Sequence, residues 1–291
     1  MIINNININI KRFSSGELKL LYSDFADFAP NGTVDILYKG QETLFELFLI
    51  CKFFKQNNIK TNLTLAYLPY QRMDHNNGHE APTLEYVAEF FNSLELESLK
   101  ICEPHCNLDK FKNAQKIDIV GKIFDDVCKQ IGFDKNKDYL IFTDKGAKQR
   151  YGHIGKNHIY FEKQRNLETG LIASHTMIGN LPKHAKAILI DDIISSGDTI
   201  CSCLDLIENN IYIICGHYEK NKYNKRLLKN KKVIKIFASN SLTKRSLSKL
   251  ELYKIENLIN GPNCDFVLYV GRKRLIKRKR FEQFIEKHLE I

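Results

Sequence analysis

One stretch limits what this chain can fold into more than any other: residues 186–200, KAILIDDIISSGDTI. Ala187 to Ile190 is a short apolar run of mostly branched side chains, the pattern of a strand buried on both faces of a parallel sheet. Two carboxylates, Asp191 and Asp192, follow directly. Ser195, Ser196, Gly197, Asp198 and Thr199 are small, hydroxylic or turn-forming. They predict a turn whose backbone N–H groups point inward, before a helix that begins in the periodic segment Ile200 to Ile207. A strand, a hydroxyl-rich turn and a helix N-terminus form an anion cradle, because the first helical N–H groups lack partners and the helix dipole favours negative charge there. Paired acids beside such a cradle suit a ligand with both hydroxyls and a phosphate, which is the chemistry of a ribose phosphate. A strand that ends in Asp-Asp before an ordinary N-cap is the alternative that this stretch alone leaves open.

The rest of the chain reads as alternating strands and helices. Residues 1–12 alternate Ile with Asn, which predicts an N-terminal strand with one buried face. Lys11 to Glu17 is a turn, Val34 to Tyr38 a strand and Thr43 to Gln56 a helix, with Leu44, Leu47, Phe48, Cys51 and Phe54 at helical spacing. A strand at Leu63 to Leu68 runs into the polar loop that follows Pro69. Pro82 to Ser93 predicts a helix with Pro in its first turn, and Leu99 to Cys102 another strand. After the charged turn 134–138 the alternation restarts, with strands at Tyr139 to Thr143, Ile159 to Phe161, Tyr212 to Cys215 and Val233 to Ala238. The expected organisation is therefore α/β in two tandem units, 1–134 and 135–275. A terminal segment 276–291, with an amphipathic helix at 278–290, is placed to pack on the first unit. Ligands of open α/β sheets collect at the carboxyl ends of the strands, and here those ends carry Asp, Lys, Arg, His and Ser.

At 291 residues the chain can bury two cores. Its net charge of +10 comes from 44 Lys and Arg against 34 Asp and Glu. No nucleic-acid recognition motif accompanies the basic runs, so they are read as solvated faces or as a field that attracts polyphosphate. Nucleic acid is not an expected partner. No segment approaches the roughly 18 apolar residues of a membrane span, and the start has no basic region ahead of a long apolar one, so no membrane association is expected. The eight cysteines form no regular framework, which fits reduced thiols and a cytoplasmic location. Cys102-Glu103-Pro104-His105-Cys106 lacks a second Cys or His pair at finger spacing, against a zinc site.

The 186–200 stretch resembles the phosphoribosyl-diphosphate motif of type I phosphoribosyltransferases and of ribose-phosphate pyrophosphokinases. The first half of the chain favours the second family. Lys11 to Glu17 (KRFSSGE) resembles its adenine-binding turn, which implies that Phe13, Ser15 and Glu17 serve the nucleotide of a neighbouring copy in a dimer or larger homo-oligomer. Pro69 to Asp74 (PYQRMD) resembles its ATP loop, with Arg72 and Asp74 at matching places. Cys102 to His105 (CEPH) resembles the segment whose His, here His105, meets magnesium and nucleotide. Asp144 to Arg150 (DKGAKQR) resembles the segment whose first Asp takes part in metal binding. Lys163-Gln164-Arg165 resembles the Lys-x-Arg catalytic flap, whose i,i+2 spacing on an extended segment sends both cations the same way.

The resemblance implies two phosphoribosyltransferase-like domains, each a mainly parallel sheet flanked by helices. It also implies magnesium-dependent transfer of diphosphate from ATP to the anomeric hydroxyl of ribose 5-phosphate. On that reading Lys163 and Arg165 are catalytic, and Phe13, Ser15, Glu17, Arg72, Asp74 and His105 bind ATP. Asp191, Asp192 and residues Ser195, Ser196, Gly197, Asp198 and Thr199 hold the ribose phosphate, while His105 and Asp144 meet the Mg2+. No Walker A pattern exists, so dispersed groups must hold ATP. The chain departs from the family at Ser195, at Asp198 between Gly197 and Thr199, and at Met73, His75 and Glu80. These departures leave open an acceptor with a larger 5′ group, such as ADP-ribose, which would place the enzyme in NAD metabolism. A phosphoribosyltransferase and an inactive regulatory homologue are the alternatives of other classes.

Overall fold

The apolar run at Ala187 becomes the middle of a seven-stranded sheet. The computed structural model describes residues 1–8, 10–25, 32–40, 43–74, 80–165, 172–219, 225–260, 267–270 and 273–276, which divide into two compact units. The first unit comprises Met1–Ile117 together with the chain from Glu256 onward; the second comprises Asp118–Ile255.

In the first unit the elements run β1 (Ile2–Ile3), β2 (Ile6–Asn7), α1 (Tyr22–Phe25), β3 (Thr33–Tyr38), α2 (Leu44–Gln56), β4 (Lys60–Leu65), α3 (Thr83–Ser93), β5 (Ser98–Cys102) and β6 (Ala114–Ile117). The sheet order is β2-β1-β3-β4-β5-β6, with β3 to β6 parallel and β1 antiparallel to both its neighbours. The single N-terminal strand expected over residues 1–12 is instead a hairpin. Asn4 and Asn5 turn it at φ 48° and 64°, a two-residue turn with both φ values positive, which asparagine tolerates better than most side chains. Helix α2 begins where the Thr43 hydroxyl accepts the Glu46 N–H at 3.1 Å. It buries Leu47, Ile50, Cys51 and Phe54, and these pack with Ile36, Leu63, Leu65, Phe91 and Ile101 in one core.

The second unit contains α4 (Val120–Ile131), β7 (Tyr139–Phe142), α5 (Lys145–Tyr151), β8 (Asn157–Arg165), β9 (Ile172–Ile178), β10 (Ala187–Ile194), α6 (Asp198–Asp205), β11 (Ile211–Tyr218), α7 (Lys225–Lys229), β12 (Val233–Ser239) and β13 (Leu250–Tyr253). Its sheet order is β13-β12-β11-β10-β7-β8-β9, parallel except for the β8–β9 pair. Ala187, Ile188, Leu189 and Ile190 are all fully buried, as a strand with apolar layers on both faces requires.

The division between the units falls at Ile117/Asp118 rather than at the 134–138 turn, because α4 packs on β11 and β12 of the second sheet. Its buried residues Val120, Ile123, Phe124, Val127 and Cys128 recur at helical spacing. Gly132 ends it in the left-handed region at φ 62°, its N–H donating to the Cys128 carbonyl. Beyond the second unit, α8 (Ile255–Asn260) returns to the first, where Glu256 pairs with Lys39 at 2.7 Å. A hairpin of β14 (Val267–Val270) and β15 (Lys273–Ile276) follows. The amphipathic helix expected at 278–290 lies outside the described residues. Among the described residues no helix is long and apolar enough to cross a membrane.

Candidate active site

The carboxylates at the heart of the second unit do not follow the strand; they lie within it. Strand β10 continues through Asp191 and Asp192 to Ile194, still paired with β11. The Thr143 hydroxyl, at the carboxyl end of β7, donates to Asp191 Oδ2 at 3.1 Å. The N–H of Asp192 donates to Asp191 Oδ1 at 3.0 Å, and the N–H of Ile193 to Asp192 Oδ1 at 2.8 Å. Asp192 is only 2% exposed, and its charge is met by an ion pair with Arg150, at the end of α5. Burial disfavours the Arg150 charge, but Asp192 beside it holds the proton more firmly than usual. For Asp191, burial, followed by the neighbouring Asp192 and Asp144 charges, pushes the carboxyl well above the ordinary range. Asp144 itself caps α5, accepting the Ala147 N–H at 2.9 Å.

The turn after β10 is held from behind. Gly197, at φ 80°, is the N-cap of α6, and a Cβ built there would stand 2.9 Å from Leu227 Cδ2 of α7. Ser196 Oγ accepts the Asp198 N–H at 3.3 Å. Asp198 is exposed in the first turn of α6, while Ser195, Ser196 and Thr199 are half-buried. A negative charge is favoured at that helix end. Lys163 and Arg165 lie on the far part of β8, in register with His175 and Ile172 of β9. That register skips one residue between them on the β9 side.

In the first unit two surfaces gather the remaining predicted residues. Residues 11–19 form a tight hairpin in which the Phe13 N–H donates to the Glu17 carbonyl at 2.9 Å and the Ser15 hydroxyl donates to Glu17 Oε2 at 2.7 Å. Arg12 ties this hairpin to α2 through two bonds to Glu46, at 2.8 and 3.0 Å, which hold the Glu46 carboxyl below its usual range. Phe13 stays 52% exposed, with Lys19 5.5 Å from its ring centre. The second surface joins the loop 69–74 to the segment after β5. The backbone N–H of His105 donates to Gln71 Oε1 at 2.8 Å, so the side chain of one segment fixes the main chain of the other. Arg72 is exposed and Asp74 and His105 are half-buried, beside Gln71, which has no exposed surface.

Gln71 and Arg150 are the two site residues that sequence reading passed over within motifs it had singled out. The signal was weak, because each is defined by a partner 34 or 42 positions away. Among the described residues no group of three or more His, Cys, Asp or Glu side chains is placed to hold a metal by itself.

Two sheets of this kind, with acids inside a central strand and a glycine-led helix behind them, define the fold of two tandem phosphoribosyltransferase-like domains. The crystal structure of phosphoribosylpyrophosphate synthetase from Mycobacterium smegmatis shares the fold, with a TM-score of 0.69 over 86% of this chain and 87% of that one at 17% identity. The chain is 31% identical over 183 residues to the ribose-phosphate pyrophosphokinase of Sulfolobus acidocaldarius, covering 57% of this chain and 60% of that protein. It is 27% identical over 171 residues to the enzyme of that name from Saccharolobus solfataricus, covering 56% and 58%. The chain thus spans about 60% of the length of the curated relatives it matches. No family model matches it. The resemblance to ribose-phosphate pyrophosphokinases drawn from the motifs is borne out by these relatives and by the fold.

Proposed function

We propose that this chain is a diphosphotransferase that makes phosphoribosyl diphosphate. The anomeric hydroxyl of ribose 5-phosphate attacks the β-phosphorus of ATP, the bond from that phosphorus to the α-phosphate bridge breaks, and AMP leaves as the hydroxyl proton is released. The observation that carries the reading is the Asp191–Asp192 pair inside β10, the strand that leads into the Gly197-led helix. Asp191 and Asp192 would accept hydrogen bonds from the ribose hydroxyls, and the N–H groups around Ser196 to Thr199 would receive the 5′-phosphate. Lys163 and Arg165 would neutralise the charge that develops on the group in transit. Phe13, Ser15 and Glu17, on one exposed hairpin, would serve the adenine of a neighbouring copy, and Arg72, Asp74 and His105 the rest of the nucleotide.

The donor set suits Mg2+, which prefers oxygen and keeps waters and phosphate oxygens in its shell. His105 and Asp144 would each supply one contact to an ion brought in with ATP, and the ion would screen the negative charge of the transferred group. The Asp144, Asp191 and Asp192 carboxylates repel one another at Asp191, an environment that would welcome a cation.

The exposed Asp198 in the phosphate turn favours a second reading of the acceptor, in which ADP-ribose replaces ribose 5-phosphate and the same chemistry follows. Incubation with ATP, Mg2+ and either acceptor, with products identified by mass, tests both. Phosphoribosyl diphosphate with AMP supports the first reading and ADP-ribose pyrophosphate with AMP the second. Formation of neither product with either acceptor would overturn both.

A further inference from the structure

Gln71 is fully buried, yet it satisfies only half of its hydrogen-bonding capacity. Its Oε1 accepts the His105 N–H at 2.8 Å, while its Nε2 is buried with no hydrogen-bond partner among the described residues. The orientation of the amide is not arbitrary. A backbone N–H can only donate, so the oxygen must face His105, and a flipped amide would set two donors against each other. The unpartnered atom is therefore a donor. Amide geometry keeps it within about 5 Å of the His105 nitrogen, on the seam between the 69–74 loop and the segment that carries His105.

A buried donor without an acceptor is costly, so native folds seldom keep one idle. Several smaller or simpler side chains could have accepted the His105 N–H without carrying an NH2 group at all. Gln71 stands between Tyr70 and Arg72 in the loop that resembles the family's ATP loop, and its oxygen is fixed on the main chain of the segment that carries His105. Tyr70, immediately before, holds φ 59°, a left-handed backbone that few non-glycine residues adopt and that fixes where the Gln71 side chain enters.

We propose that Gln71 is a nucleotide-binding residue: its Oε1 positions the His105 segment, and its Nε2 donates to a phosphoryl oxygen of the bound ATP. This rests on the ATP reading given above. Binding would then couple the two segments to each other through one amide.

The test is calorimetric titration with α,β-methylene ATP and Mg2+, an analogue in which the bond broken by the transfer is replaced. Three proteins are compared: the wild type, Gln71→Glu and Gln71→Met. Glutamate keeps an acceptor for the His105 N–H but offers no donor to phosphate; methionine fills the volume with neither group. Loss of a hydrogen bond to a charged group predicts dissociation constants raised about ten- to hundredfold in both variants, more in Gln71→Glu. In turnover the KM for ATP should rise with it, while the KM for the acceptor stays within about twofold, a split that a general loosening of the fold would not give. If the wild type binds the analogue and both variants bind within about twofold of it, the inference fails and the ATP reading stands. If the wild type itself does not bind, the ATP reading fails and the inference with it. Should Gln71→Glu not fold, Gln71→Met decides by the same criterion.

Discussion

Asp192 is a carboxylate with almost no exposed surface, and Arg150 is what makes it tolerable there. Arg150→Met would leave that charge buried and uncompensated, a change that costs about 3 to 5 kcal/mol. Urea unfolding should therefore show a marked loss for Arg150→Met and a smaller one for the double change Arg150→Met with Asp192→Asn, since the second substitution removes the orphaned charge. Equal losses in the single and double variants would mean that the pair is not coupled. On the proposed reading Lys163→Ala should lower kcat about a hundredfold with little change in the KM for ATP, because its charge would be needed while the diphosphoryl group is in transit. An unchanged kcat would remove it from the mechanism.

Among the elements, α6 and α4 depend on how their ends are finished. Gly197 starts α6 in the left-handed region with Leu227 close behind it. Gly197→Ala should cost about 1 to 2 kcal/mol for the backbone conformation alone, with a further cost because Leu227 must move. We predict that the larger consequence is a raised KM for the ribose phosphate, as the phosphate turn shifts. A variant with wild-type stability and KM would show that the turn accommodates a Cβ. At the other end of its own unit, α4 finishes against Lys186, whose ammonium donates to the carbonyls of Ile131 and Gly132 at 2.8 and 2.6 Å. This is a cation placed on the negative end of a helix, and Lys186→Met should cost about 1 kcal/mol in denaturant unfolding, with activity at full occupancy retained.

For the molecule as a whole the question is whether one copy holds a complete site. On the proposed reading the hairpin of Phe13 and Glu17 serves a neighbouring copy, so Glu17→Ala and Lys163→Ala would damage different halves of a shared site. Mixing the two inactive proteins should then restore part of the activity, since one interface of a hybrid dimer carries neither lesion. Verified hybrids that remain inactive would argue for a site built within a single chain.

The sequence by itself determined what depends on near neighbours. The both-sided burial of Ala187 to Ile190, the stripes of α2 and α3, the turn at Ser196-Gly197 and the hairpin of Lys11 to Glu17 follow from side-chain period and local backbone preference, and all were legible. The α4 stripe was equally local but lay ahead of a charged turn that looked like a boundary; only its packing on β11 and β12 assigns it to the second unit. Strand β9 runs antiparallel to β8, and β2 pairs with β1 because Asn4 and Asn5 fold the N-terminus back. Nor could the sequence say that the acids sit inside β10, that Arg150 answers Asp192 or that Gln71 holds His105. Those are properties of contact between segments far apart in the chain, decided when closing the sheets brings one buried polar group to a partner.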